Sequence, residues 1–462
     1  MQIGRKDVIW NFAATFMRIA SGVIVLPLVL RLLPSQEVGL WNIFLTIGSL
    51  ATLLDFGFSN SFSRNVTYIF SGVKTLIPKG YCAVDENDRS IDYGLLKSVI
   101  SAMRRYYGIL AGIFLLIFFA ISPYYLTSIL QKYNGDRHEI WIAWFTYGVL
   151  VAYQLYTYYY SSILTGRGLV KRSLQIIIIG QTSRIVISVI CLLSGLGIMS
   201  LVIGQFTSDV INRSLCYFAF YDKDIRVKLK VKSEIPVKEV MKIMTPNAVK
   251  IGITTIGGFF INKAVMFIAP LYLSLSAIGS FGTTKQMIDL IVSLGGIWFA
   301  TYYPKTTLYT VNKDVEGVKR LYIKGKLCLI GVFIVCGLGL IFVGPPLLIF
   351  IKSNTHLLSS SMIFVFLIVA FLEANHGMSG LLLLTKNEVP FVKASLISGL
   401  AVLALLFISF NYTGLGIWGM IIASGIAQAV YQNWKWPLMV KRELNIKVMD
   451  FWTTLVVTIK QI

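Results

Sequence analysis

The sequence predicts an all-α polytopic membrane protein with about 12 transmembrane helices in two six-helix lobes related by a parallel pseudo-repeat. Three observations carry that prediction. The 462-residue chain is 56% hydrophobic and only 14% charged, whereas soluble domains usually carry about 25% charged residues. Its apolar residues gather in runs long enough to cross a bilayer, which takes about 20 predominantly apolar residues. The basic residues between those runs alternate in number from loop to loop, as residues that set membrane topology do.

In chain order the runs place spans near 8–32, 38–66, 106–126, 140–164, 173–194, 198–220, 244–271, 277–303, 326–350, 358–384, 391–410 and 414–438. The first follows Arg5 and Lys6 and continues to Leu33. It is too long for the apolar core of a cleavable signal peptide and lacks a small-residue cleavage site. The third is the least sharp, because Pro123 and a tyrosine pair blur its end.

Charge sorts the connections into two sides. The N-terminus, 71–105, 165–173, 221–242, 304–326, 385–393 and the C-terminal stretch from Lys435 hold 31 of the 42 Lys and Arg. The opposite loops hold four: Arg31, Lys132, Arg137 and Lys352. Positive-inside bias therefore puts both termini in the cytoplasm. It also explains most of the formal net charge of +21, with attraction to anionic head groups as a second effect. Nucleic-acid binding is disfavoured, since the basic residues are split among seven short segments. The 71–105 connection reads as a solvated, amphipathic cytoplasmic segment.

A weak internal repeat divides the chain. Pro27-Leu28-Val29-Leu30 is followed twelve residues after the proline by Gly39, and Pro270-Leu271-Tyr272-Leu273 by Gly282 at the same distance. The offset is 243 residues, an even number of spans, so the repeats should run parallel. Leu164-Thr165 with a basic turn to Ser173 finds an echo in Leu384-Thr385 with a basic turn to Ser395. These readings give an N-terminal lobe over 1–220, a basic cytoplasmic linker over 221–242 and a C-terminal lobe over 243–462. Parallel repeats are one recurring way to build transporters that alternate access around a central site.

Besides Arg31, Lys326, Lys393 and Lys435, which sit at span ends and are counted with the connections, seven cations lie within the spans, Arg18, Arg64, Arg184, Arg213, Lys250, Lys263 and Lys285, against four acids, Asp55, Asp209, Asp289 and Glu373. A cation near the bilayer centre costs roughly 2.5–3.5 kcal/mol on insertion scales, so such residues are usually paired or functional. Arg18, Arg184, Lys263 and Lys285 are the candidate lining of a cationic cavity for an anionic solute. Asp209 with Arg213, and Lys285 with Asp289, stand four residues apart and share a helix face, which makes them candidate structural ion pairs. Glu373 has His376 one turn along, and a buried carboxylate beside an imidazole can titrate near neutral pH. Proton or sodium coupling and a salt bridge to another helix both remain open for Glu373, and Asp55 joins it as a candidate coupling group. Tyr153, Tyr156 and Tyr160 form a stripe that reads as an interfacial belt or as a stacking surface for sugars. No HExxH, no Cys/His cluster and no GxxxxGK[ST] loop occurs, so no metal and no cofactor is expected.

Three stretches carry a family resemblance. They are Leu26-Pro27-Leu28-Val29-Leu30-Arg31-Leu32-Leu33 with Val38-Gly39-Leu40-Trp41, Leu53-Leu54-Asp55-Phe56-Gly57-Phe58 with Arg64, and Leu164-Thr165-Gly166-Arg167. Together they resemble the polysaccharide transporter family of the multidrug/oligosaccharidyl-lipid/polysaccharide flippase superfamily. The resemblance implies a flippase for undecaprenyl-pyrophosphate-linked oligosaccharide, such as an O-antigen, capsule or exopolysaccharide repeat unit. Transport would run from the cytoplasmic to the periplasmic leaflet of a bacterial inner membrane. No covalent chemistry is implied, so the chain is not expected to be an enzyme. The implied partners are the lipid-linked substrate, membrane lipid, and a polymerase and chain-length regulator of the same pathway. Two alternatives stand beside it: a multidrug or cation antiporter of the same superfamily, and a membrane glycan polymerase.

Overall fold

The computed structural model describes residues 24–77, 90–385 and 390–459, together with Met17 and Gly22. Among these residues every regular element is helical and no strand occurs. Helix α1 is described over 24–32. The second run is interrupted twice, as α2 (Ser35–Gly48), α3 (Leu50–Leu54) and α4 (Phe58–Phe70). Then come α5 (Tyr93–Leu130), α6 (Arg137–Tyr156), α7 (Tyr159–Gly166), α8 (Val170–Leu193), α9 (Met199–Phe220) and the short α10 (Lys223–Lys228). The second half continues with α11 (Val237–Asn262), α12 (Ala264–Tyr272), α13 (Leu275–Val311), α14 (Val315–Phe342), α15 (Gly344–Phe350) and α16 (Ser360–Leu384). It closes with α17 (Val392–Ile408), a π turn at Ser409–Thr413, α18 (Ile417–Ala429), α19 (Gln432–Glu443) and α20 (Val448–Ile459).

Every expected span falls on one of these runs, the first through its described part. Seven stretches among the described residues are long and apolar enough on their own to cross a bilayer. The spans on α6–α7, α9, α13 and α18–α19 are more polar or broken by a short kink. Large apolar side chains such as Leu116, Phe218 and Phe342 stay 65–74% exposed along the helix flanks, which is what a lipid-facing surface requires.

One expected loop ends in helix and another is largely helix. Asp92 caps α5 by accepting from the Leu95 amide at 2.8 Å, so the helix begins at Tyr93 and Lys97, Arg104 and Arg105 are helix-surface charges. Pro123 lies inside α5 without ending it. Likewise α13 runs to Val311 and α14 starts at Val315, capped by Asp314 to the Gly317 amide at 2.8 Å. The 304–326 connection therefore shrinks to residues 312–314; of its basic residues only Lys313 stays in the connection, and Lys305, Lys319, Arg320, Lys324 and Lys326 lie on the two helices. Basic helix ends and loops look alike in composition; only the caps distinguish them.

The chain divides into two compact units, one of Met1–Leu33 with Ile43–Thr255 and the other of Pro34–Asn42 with Ile256–Ile462. In the first, α8 packs along α9, α4 against α7, and α5 against α6. In the second, α13 packs along α14, and α16 contacts α13, α14, α18 and α19. The opening turns of α2 belong to this second unit and lie on α13. A Cβ at Gly39 would fall 2.2 Å from the Leu275 carbonyl oxygen, and one at Gly279 2.5 Å from that of Ser35. Ser35 bonds Ser276 at 2.9 Å and Gln286 bonds Asn42 at 2.7 Å. Both numbers rise together along these contacts, so α2 and α13 run parallel, the direction that the internal repeat requires.

The motif residues prove to be joints. Leu53-Leu54-Asp55-Phe56-Gly57 is a helix break: Phe56 and Gly57 adopt left-handed φ of 53° and 77°. Asp55 restores the bonds that the break removes. It accepts from the Ser59 amide at 3.0 Å, the Ser59 hydroxyl at 2.8 Å and the Tyr107 hydroxyl at 2.5 Å. The Phe56 ring lies where a side chain at Gly252 would stand, 2.2 Å from its Cβ position. In Leu164-Thr165-Gly166-Arg167, Gly166 lets α7 approach α4, with Val66 Cβ 2.5 Å from the Cβ a larger residue would carry. Arg167 then holds the end of α9 and the start of the linker, donating to the Phe220 carbonyl at 2.9 Å and to Asp222 at 2.7 Å. The linker itself lies along the start of α5, where Lys97 donates to the Val231 carbonyl at 2.6 Å and Ser98 meets Ser233 at 2.8 Å.

Candidate functional site

Among the described residues, each unit gathers a cluster of ionisable side chains at the depth of its spans. In the first unit the cluster joins α6, α8 and α9. Small residues let α8 and α9 meet closely: a Cβ at Gly204 would fall 2.0 Å from Ser188 Oγ and 3.1 Å from the Arg184 carbonyl oxygen. That contact brings the guanidinium of Arg184 within electrostatic reach of Asp209 and Tyr147. Asp209 takes its hydrogen bonds from amides, Gln154 Nε2 at 2.5 Å and Gln205 Nε2 at 3.1 Å. Arg213 acts on it electrostatically from one turn away, while Arg213 Nε is buried with no hydrogen-bond partner. Two guanidinium groups thus share one carboxylate whose hydrogen bonds come from elsewhere. The cluster keeps an excess of positive charge.

In the second unit a cavity of about 300 Å³ opens between α11, α12, α13, α16 and α18. Lys285, Asp289, Glu373 and His376 are its ionisable lining, with Asn262 and Ser424 beside them and Phe281, Phe366, Val369 and Met420 as apolar walls. Lys285 and Asp289 form an ion pair at 2.9 Å with 18% and 51% of their side chains exposed. Glu373 accepts from Gln428 Nε2 at 3.3 Å, and His376 Nδ1 meets Asn433 Oδ1 at 2.9 Å. Lys263 occupies the break between α11 and α12. It is not part of the cavity wall but feels Lys285, Asp289 and Glu373 electrostatically. Charge in this cavity is therefore close to balanced.

The candidates expected from sequence separate accordingly. Arg184 falls in the first cluster with Asp209 and Arg213; Lys285, Asp289, Glu373 and His376 come together in the second, with Lys263 beside them. Arg18 and the side chain of Lys250 lie outside the described residues, and Arg64 is exposed on α4. Asp55 sits in its helix break, held by Ser59 and Tyr107. The tyrosine stripe is divided by the α6–α7 break, with Tyr160 stacked on Tyr159 at 4.4 Å and Tyr217 at 6.3 Å from it.

One charged residue escaped the sequence reading. Lys326, counted with the basic 304–326 connection, is only 6% exposed within α14. It donates to the Asn375 carbonyl at 2.6 Å, to Asn375 Oδ1 and to Ser379 Oγ at 3.3 Å. Its signal was positional. Lys326 is followed at once by the apolar Leu327–Phe342 stretch, and an α14 start at Val315 places it three turns inside the helix.

No family model matches this sequence, and no curated sequence matches it. Solved structures do. The fold is similar to that of a multidrug resistance MATE family transporter of the MOP superfamily in an inward-facing conformation, with a TM-score of 0.63 at 14% identity over 95% of this chain and 98% of that one. It is equally similar to the lipid II flippase MurJ in an inward closed conformation, TM-score 0.63 at 14% identity over 97% and 89%. A MOP superfamily transporter from Pyrococcus furiosus, described as having a binding pocket of reverse polarity, gives a TM-score of 0.50 at 14% identity over 95% and 94%. The chain thus has the fold of these membrane transporters, twelve helices in two lobes.

Proposed function

We propose that this protein is a flippase that carries an undecaprenyl-pyrophosphate-linked oligosaccharide from the cytoplasmic to the periplasmic leaflet of a bacterial inner membrane by alternating access. The observation that carries the reading is the excess of guanidinium charge around Asp209. Arg184 and Arg213 lie at the depth of the spans, the one acid beside them among the described residues is hydrogen-bonded by Gln154 and Gln205, and Arg213 Nε is buried without a partner. Burying such charge in a bilayer is unfavourable unless something anionic compensates it. A pyrophosphate is such a group, and arginine grips its oxygens bidentately. The likeness to a lipid II flippase supports a lipid-linked substrate.

In this reading the prenyl chain stays in lipid while the head group meets the cationic cluster of the first unit, and Arg18 and Lys263 are proposed as further substrate-binding cations. No covalent step occurs. The near-neutral cavity of the second unit, with Glu373 and His376, is assigned to ion coupling. A polymerase and a chain-length regulator acting on the same glycan would receive the product. Both termini and the 221–242 linker between the lobes of 1–220 and 243–462 face the cytoplasm, the side on which the substrate is loaded.

The likeness to a multidrug transporter is numerically the same, so the substrate must be tested directly. Binding of an undecaprenyl-pyrophosphate-linked oligosaccharide to the detergent-purified protein is compared with binding of its Arg184→Ala variant. A charge-assisted hydrogen bond contributes about 1.5–3 kcal/mol, so the variant should bind at least roughly tenfold more weakly. Unchanged affinity, or preferential binding of an organic cation by the wild-type protein, would overturn the reading.

A further inference from the structure

Lys326 is buried in α14 roughly 17 Å from its first turn, at 1.5 Å per residue. Among the described residues no carboxylate lies in its hydrogen-bond set. Its three ammonium protons instead match three acceptors, the Asn375 carbonyl, Asn375 Oδ1 and Ser379 Oγ, all on α16. The Tyr322 ring lies 5.1 Å below the ammonium, and the Tyr322 hydroxyl bonds Ser379 at 2.8 Å. Ser379 in turn donates to the Asn375 carbonyl at 3.0 Å. A methionine would fill the same volume with no buried charge. What only the lysine supplies is a set of donors and a charge directed at one turn of α16.

That turn also carries the cavity. Asn375 and Ser379 stand four residues apart and face α14, whereas Glu373 and His376 stand three apart and line the cavity. The two faces belong to the same few residues of helix, so whatever fixes Asn375 fixes the direction of its neighbours. We propose that Lys326 is a positioning residue for the second unit's cavity: it clamps the Asn375–Ser379 turn of α16 onto α14 and so sets the places of Glu373 and His376. The role of that cavity in transport rests on the flippase reading; the clamp itself does not.

The test uses the full chain in lipid nanodiscs and vesicles, as wild type, Lys326→Met and Lys326→Arg. Three quantities are read: the melting temperature, amide hydrogen exchange over residues 373–379, and turnover with an undecaprenyl-pyrophosphate-linked oligosaccharide. In Lys326→Met the melting temperature should be equal or higher, because the buried charge is gone. Exchange over 373–379 should rise on the order of tenfold, matching the loss of charge-assisted bonds, and turnover should fall by about tenfold or more. Lys326→Arg should recover most of the exchange protection and part of the turnover, since it keeps the charge and the donors. Wild-type exchange in Lys326→Met, or a loss of turnover that merely follows a loss of folded protein, would refute the clamp. A wild-type protein that moves no such lipid would refute the flippase reading, while the exchange comparison would still decide the clamp.

Discussion

Asp55 and Lys326 are both buried charges, and they differ in what the sequence discloses about them. Asp55 stands in a motif and was a candidate for ion coupling; its hydrogen bonds are those of a group that mends a helix break. Removing it should leave the Tyr107 hydroxyl buried without its acceptor, at a cost of about 1–3 kcal/mol. Asp55→Ala should therefore lower the melting temperature and the yield of folded protein, with Asp55→Asn milder because the amide oxygen still accepts. A normal melting temperature combined with lost transport would reassign Asp55 to function. Lys326 carried no motif. A lysine that begins an apolar run is indistinguishable in composition from one that ends a loop, and its partners Asn375 and Ser379 lie about fifty positions away.

Among the elements, caps and close approaches explain most of what the sequence left open. Gly279 and Gly39 allow α13 and α2 to touch backbone to backbone, a small-residue contact of the kind that drives helix association in lipid. Gly279→Leu should abolish stable assembly, seen as a shift to aggregated material on size-exclusion chromatography; a monodisperse variant with the wild-type melting temperature would show that the contact does not matter. The linker offers a pH test. Asp222 caps α10 through the Ile225 amide at 2.9 Å and pairs with Arg167, and these bonds hold its carboxyl below the usual aspartate value. With the folded-state value depressed, the stability this group contributes is present above about pH 4, the ordinary aspartate range, and is lost as pH falls through the lower folded-state value. Protease cleavage within 223–236 should therefore rise only in acid for the wild type. Asp222→Ala should show it already at neutral pH, and Asp222→Asn less so, because asparagine still caps. Cleavage in Asp222→Ala that stays at the wild-type level would sever the linker from this anchor.

At the scale of the whole molecule, span count and fold class were legible because the bilayer imposes length and composition on each helix. The two glycines of the Gly39–Gly282 echo are both close-approach positions within the second unit, Gly39 against Leu275 and Gly282 against Asn42. The grouping of site residues was only partly legible. Spacing of four on one helix foretold Lys285 with Asp289, but not that Asp209 would take its hydrogen bonds from Gln154 on another helix. Nor could spacing separate an arginine-rich cluster in one unit from a balanced cavity in the other. Transbilayer movement of an undecaprenyl-pyrophosphate-linked oligosaccharide in vesicles tests the central claim most directly, read by the glycan's accessibility to an impermeant reagent and compared with uptake of a cationic dye. The flippase reading predicts movement of the lipid that is lost in Arg184→Ala, with no dye transport. Dye transport without lipid movement, or lipid movement unaffected by Arg184→Ala, would contradict it.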